Sequence, residues 1–488
     1  MPGLAPLTRL FRFTRESLKK REFVVPAKAG THVVQRKIGP PLSRGRLLQS
    51  FPSVLLMAAL ALPAAAEDLL QVYREAQRSD AAFAAARHAL EAGRERLPQG
   101  LALLLPTLNL TGSATRTRAE VDSRDPLILP SFTRYPESAS YTLTLTQPIF
   151  RQQNWIQYQQ GGHQVRQAEA TFSQAYQDLI IRVSQAYFDV LAAHDTLALV
   201  RAQKVATAEQ LAQAKRNFEV GTATITDTHE AQARYDLIAA QEIAAQNDLE
   251  SKRRALQLIT GREPGELATL RADVKLAPPN PPDMQTWVDL AEKQGYPVQI
   301  AEAAGEVAAL EARRTRAAHL PTLDFVATHG QSGQNATTDS SAGRDSTITV
   351  IGLQLAMPLY QGGGLNSRER EAAALSLRAK EDLENARRNA ALAARQNYLL
   401  VINGIAVVDA LQQALVSSQS ALDSNKLGYE VGVRINIDVL NAQQQLFLTR
   451  RDLAVARYNL ITNNLRLKAA AGSLRDEDLE QINRALVQ

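Results

Sequence analysis

The residues of this chain that could do chemistry are few, and their spacing rules out most of it. The seven His (32, 88, 163, 194, 229, 319 and 329) are scattered, with no pair at i,i+4 or another metal-ligand spacing. Cysteine is absent, which excludes disulfides, thiolate metal sites, a Cys nucleophile and a cysteine-linked lipid anchor. No Ser/His/Asp arrangement or phosphate loop stands out, so neither an enzyme nor a cofactor is expected. What does stand out is a polar pattern written twice: FEVGTATITDTHEAQ at 218–232 and YEVGVRINIDVLNAQ at 429–443. Each runs aromatic, Glu, Val, Gly, later an Asp (Asp227, Asp438), then Ala-Gln. Carboxylates placed so at helix ends can pair with cations and accept hydrogen bonds. Taken alone they read as ordinary exposed helix-end charges.

The repetition extends beyond these stretches. Without a gap, 218–261 and 429–472 share 11 of 44 residues, including Gly221/Gly432, Asp227/Asp438 and Gly261/Gly472. The same offset pairs Gln185 with Gln396 and Tyr187 with Tyr398. Upstream, QPIF (147–150) matches MPLY (357–360), and LPTLNL (105–110) matches LPTLDF (320–325). The chain therefore reads as a tandem duplication, each copy running helix, strand, loop, strand, long helix, turn, helix. The first copy is 67–275, with strands about 104–118 and 138–150, a long helix 151–217 and a helix 226–260. The second is 276–488, with strands about 320–330 and 346–360, a long helix 365–431 and a helix 437–471. Further helices are expected at 68–98 and 284–315, stacked end to end with the shorter helix of each copy.

The reasons are local. No proline interrupts 151–220 or 365–431. Segments of roughly 65 residues at 1.5 Å rise would reach about 100 Å, which implies coiled-coil-like packing. Val183, Ala186, Tyr187, Val190, Leu191, Leu197 and Val200 recur at three- and four-residue steps and form a packing stripe. The strands alternate instead: Tyr141, Leu143 and Leu145 oppose Thr142, Thr144 and Thr146, and Leu323, Phe325 and Ala327 oppose Asp324, Val326 and Thr328. STITVIGLQLAMPLY breaks its alternation at Val350-Ile351, where a bulge is expected. Polar loops fill 119–137 and 331–345. Each copy thus offers two amphipathic strands, and four strands cannot close a barrel in lipid, where about eight are needed. Either the chain shares a barrel with other copies of itself or the sheet is soluble.

Charge and targeting narrow the choice. Residues 1–66 hold 11 Lys/Arg against 2 Asp/Glu, so the overall charge of +5 resides there and the other 422 residues are net acidic. A nucleic-acid partner loses its support. Arg44 and Arg46 precede FPSVLLMAALALPAAA (51–66), ending in an A-x-A arrangement. This predicts a signal peptide cleaved after Ala66, with 1–43 as an N-terminal extension from an upstream start. The mature chain holds no run of 18 apolar residues, so no transmembrane helix is expected and any membrane crossing must be a β-barrel.

The motifs LLQVYREAQRSD (69–80), HLPTLDF (319–325), MPLYQGG (357–363), FEVGTATITD (218–227) and YEVGVRINIDVLNA (429–442) together resemble the outer-membrane efflux protein family, in particular its TolC-like channels. The resemblance covers essentially all of 67–488. It implies a mainly α chain with a transmembrane β-barrel part. Three protomers, four strands each, would form one twelve-stranded barrel in outer-membrane lipid, continued by a periplasmic α-helical coiled-coil tunnel with a mixed α/β equatorial region. It further implies a passive exit duct in the outer membrane of a Gram-negative bacterium, passing drugs, small toxins or secreted proteins. The expected partners are a periplasmic adaptor (membrane fusion) protein and an inner-membrane ABC, RND or MFS transporter. The turns at Gly221 and Gly432 would be the periplasmic tips. By resemblance Tyr429 and Arg434 bond to Asp227 to latch the tip shut. Asp438 would face the pore constriction, which in the family carries a second Asp three positions on; here that position is Asn441. Glu230, three residues after Asp227, is the expected source of compensating charge. A periplasmic adaptor or helical scaffold is the alternative, which the four amphipathic strands disfavour.

Overall fold

The structure, a computed structural model, describes residues 66–124, 130–271, 278–337 and 341–487. The signal-peptide reading lies outside the described residues except at Ala66, as does the boundary between the copies at 275/276. The first copy runs α1 (Leu69–Ser79), α2 (Ala81–Arg94), α3 (Arg96–Ala102), β1 (Thr107–Arg116), β2 (Ala119–Val121), β3 (Phe132–Arg134), β4 (Glu137–Phe150), α4 (Gln152–Glu219) and α5 (Ile225–Thr260). The second runs α6 (Met284–Gln294), α7 (Tyr296–Arg316), a 3-10 turn (Ala317–His319), β5 (Thr322–Gln334), β6 (Arg344–Ala356), α8 (Gly364–Glu430) and α9 (Asn436–Ala470), and ends in α10 (Asp476–Asn483).

Four strands form one antiparallel sheet in the order β1-β4-β5-β6. Its register sorts the side chains by polarity, because residues directly opposite one another in an antiparallel sheet share a face. Leu108, Leu145, Ala327 and Ile351 form one row, whereas Asn109, Thr144, Thr328 and Val350 form the next, on the other face. A Ser row (Ser113, Ser140, Ser332, Ser346) continues the polar face. Leu110, Leu353 and Leu355 on the apolar face are exposed in the protomer. The expected bulge is not at Val350-Ile351, where the β5–β6 register runs unbroken. It lies between Pro148 and Phe150 on β4, beside β5. Pro148 has no N–H to give the ladder, so the irregularity settles there, while Val350 is simply an apolar residue on the polar face. Within the expected loop 119–137, β2 and β3 form a separate ribbon.

The 68-residue α4 and 67-residue α8 are each a single helix. The helices expected at 68–98 and 284–315 are instead divided. Asp80 takes an extended conformation between α1 and α2, where its carboxylate accepts the Phe83 N–H at 2.6 Å and pairs with Arg182 of α4 at 2.9 and 3.1 Å. Gly295 divides α6 from α7, and Pro297 follows within the first turn of α7. A Cβ on Gly295 would lie 2.5 Å from the Ala291 carbonyl oxygen.

The main core lies where α4 meets α1, α5, α9 and α10, around Leu69, Tyr73, Leu179, Tyr187, Phe188, Leu256, Ile461, Leu465 and Leu479. The expected stripe is buried there at Val183, Tyr187, Val190 and Leu191, and Leu197 is buried further along α4. The hydroxyls of the repeat mates Tyr187 and Tyr398 both donate to backbone carbonyls, of Ala268 and Pro282. By length and composition alone, an 18-residue stretch of α8 is apolar enough to cross a membrane. The sequence reading required an uninterrupted apolar run, whereas polar residues are interspersed here. Val401 and Val408 of α8 pack on Trp287 of α6 and Leu453 and Leu460 of α9, while Leu399, Leu400 and Val407 are exposed.

Candidate functional site

Each long helix turns back on its shorter partner through the same bend. Gly221 and Gly432 take φ of 80° and 79°, a region that costs a residue with a Cβ. At the first bend the Thr222 and Ala223 amides close on the Asn217 carbonyl; at the second the Val433 and Arg434 amides close on that of Gly428. These bonds satisfy carbonyls that a helix end would otherwise leave open.

The two following helices start differently. Thr224 caps α5: its hydroxyl accepts the Asp227 N–H at 3.3 Å, while the Asp227 carboxylate accepts the Thr224 N–H at 3.0 Å and hydroxyl at 2.9 Å. Both bonds to the carboxylate use Oδ2. At the equivalent place in the second copy stands Ile435, which has no side chain able to cap α9. The Asp438 carboxylate is thus not drawn into a cap, and instead lies 3.7 Å from the Arg434 guanidinium.

The structure therefore brings the expected latch residues to one end of the molecule without joining them directly within the protomer. Tyr429 accepts a hydrogen bond from Asn217 of α4 at 3.1 Å, and Asn436 of α9 donates to the Asp227 carbonyl at 3.5 Å. These bonds tie the two tips together. Leu211, Ala214, Ala231 and Leu440 form a small apolar cluster between them.

Asn441 is exposed and accepts a bond from Arg234 of α5 at 3.0 Å; the same guanidinium donates to Gln444. Glu230 is half-buried one turn before Arg234. The surroundings of Asn441 therefore include a cation that sequence reasoning did not identify. Asn217 and Thr224 were missed too. The T-x-x-D spacing of Thr224 and Asp227 was a readable capping signal; nothing local pointed to Asn217 or Arg234, whose partners are more than 200 positions away. Among the described residues no group of three or more His, Asp or Glu is placed to hold a metal ion.

The sequence profile of the outer membrane efflux protein family matches residues 72–262 and 287–473. The chain is 34% identical over 434 residues to outer membrane protein TolC of Escherichia coli (strain K12), covering 86% of this chain and 85% of that one. It is 32% identical over 442 residues to the proteases secretion protein PrtF of Dickeya chrysanthemi, covering 88% and 94% respectively. The crystal structure of the outer membrane protein VceC from Vibrio cholerae superposes with a TM-score of 0.70 at 19% identity, over 83% of this chain and 96% of that one.

Proposed function

The chain belongs to the outer membrane efflux protein family, and from that premise we infer that its paired helical tips gate a trimeric duct. The protein is an outer-membrane exit channel of a Gram-negative bacterium, of the kind that serves efflux and type I secretion. The observation that carries the reading is the four-stranded sheet, with one apolar face, one polar face and two open edges. Lipid tolerates such a sheet only when it is closed. Three copies would supply twelve strands, polar faces inward, above helices about 100 Å long.

The relatives compared are channel and secretion proteins, and we read this chain as a passive duct with no catalytic step and no cofactor. Its partners in this reading are two further copies of itself, a periplasmic adaptor and an inner-membrane ABC, RND or MFS transporter. The two repeats, 67–275 and 276–488, give the trimer six similar hairpins. In the closed state Tyr429 and Arg434 hold the tip by way of Asp227, whose Oδ1 is left over by the cap on Oδ2. Such bonds, about 1.5–3 kcal/mol each where a charged group takes part, are strong enough to bias a closed state and weak enough for a docking partner to overcome. Asp438 lies at the constriction, with Asn441 and Glu230 nearby.

Single-channel recording of the purified trimer in a planar bilayer tests this. The expected result is a small, cation-selective conductance that rises several-fold when Tyr429→Phe and Arg434→Ser are combined. A protein that needs no detergent and gives no conductance would be an adaptor or scaffold instead.

A further inference from the structure

The sheet ends in two strands, β1 and β6, that have only one neighbour each. The duplication supplies the missing pairing. Matching LPTLNL to LPTLDF carries β1 onto β5 by a shift of 215 residues, and matching QPIF to MPLY carries β4 onto β6 by a shift of 210. These shifts can be checked within the protomer. Applied to the β1–β4 pairs Thr107/Thr146 and Leu108/Leu145, they give Thr322/Ala356 and Leu323/Leu355, which are the pairs observed between β5 and β6. The two hairpins therefore have one internal register.

The junction between hairpins, β4 on β5, pairs Leu145 with Ala327, Leu143 with His329 and Thr144 with Thr328. The same shifts carry that junction onto β6 and the β1 of a second copy. The geometry points to one intermolecular register: Leu355 opposite Gly112, Leu353 opposite Ala114 and Gln354 opposite Ser113. This rests on the homotrimer proposed above and deepens it to the level of residue pairs.

Three features favour this register. It keeps apolar residues on the apolar face, as a slip of one residue would not. It sets the two large leucines against the smallest side chains of β1. It also brings Pro358 opposite Asn109, as Pro148 stands opposite Asp324, and pairs Met357 with Leu110 and Tyr360 with Leu108. In the isolated protomer β6 stops at Ala356, and Met357 and Tyr360 are 54% and 86% exposed, whereas Phe150, the mate of Tyr360, has its partner strand and is 45% exposed. With this register the six junctions of the ring share one stagger, which is compatible with three-fold closure.

Because the chain contains no cysteine, introduced thiols are the only ones present. A Cβ at Gly112 would meet nothing closer than 3.7 Å. Directly opposed residues have Cα atoms about 4.5–5.5 Å apart, within disulfide range, while diagonal neighbours two residues on are about 7–8 Å apart. Mild oxidation of the detergent-purified protein carrying Gly112→Cys with Leu355→Cys should give reducible covalent dimers and trimers. Ala114→Cys with Leu353→Cys should do the same. The shifted pair Gly112→Cys with Leu353→Cys should cross-link at least tenfold less, and Leu145→Cys with Ala327→Cys should close within one chain. Stronger linking by the shifted pair, or a trimer in which neither matched pair links, overturns the register and leaves the trimer standing. A monomer by sedimentation in detergent, with no intermolecular link from any pair, overturns the trimer itself.

Discussion

Asp227 and Asp438 are repeat-equivalent carboxylates with different partners, and the residue three positions earlier decides the difference. Thr224 engages Asp227 in a cap; Ile435 cannot, so Asp438 remains near Arg434. Thr224→Ala should cost about 1 kcal/mol of local stability, seen as faster amide exchange in the first turn of α5. If Asp438 rings the constriction as proposed, divalent cations should block the channel and Asp438→Asn should relieve that block, because carboxylate count sets the affinity of such a ring. If Glu230 supplies charge in place of Asn441, Glu230→Gln should also weaken block by a measurable fraction; unchanged block would remove Glu230 from the constriction. Arg234, bonded to Asn441, acts in the opposite sense, so Arg234→Ala should strengthen block. At the tip, Gly221/Gly432 and Asp227/Asp438 were legible because they recur in two copies, whereas Tyr429, Arg434 and Asn441 were singled out by the family resemblance. Arg234 and Asn217 were not, since their roles come from contacts between the copies.

At the scale of elements, the long helices were readable from the absence of proline and from the stripe on α4, but the breaks in the shorter ones were not. Asp80 is where α1 gives way to α2, because its carboxylate is committed to the Phe83 amide and to Arg182. Those hydrogen bonds, the Arg182 guanidinium first, hold the Asp80 carboxyl below its ordinary range, against the opposing effect of burial. A depressed folded-state value means the pair stabilises the fold fully above the unfolded carboxyl range, near pH 4. That stability is lost as pH falls further, through the folded value. Asp80→Asn should therefore lower stability by about 1–2 kcal/mol at neutral pH, an amount reduced by the partial exposure of Arg182. The gap from the parent protein should close below pH 4 in thermal melts. At the turn, Gly432→Ala must place a Cβ at a φ of 79°, at a cost of about 1–2 kcal/mol. The expected readout is faster proteolysis at the α8–α9 tip with the secondary-structure content of the whole chain unchanged.

For the whole molecule, the sheet is the part whose meaning depends on assembly. One protomer leaves an apolar face and two edges open, which lipid and two more copies bury in the trimer proposed above. Solubilisation should therefore require detergent, and heating in that detergent should convert trimer to monomer in a single step, measurable by gel mobility. The sequence by itself determined the duplication, the strand alternation, the long helices and the glycine turns, because each is a periodic or local property that the chain writes into neighbouring residues. Only the tertiary structure decided that the bulge sits at Pro148, that the first helix of each copy is divided, and that Arg234 reaches Asn441. The physical reason is range. Periodicity and turn chemistry act over a few residues, whereas hydrogen bonds across helices and strand register depend on which distant segments the fold brings together.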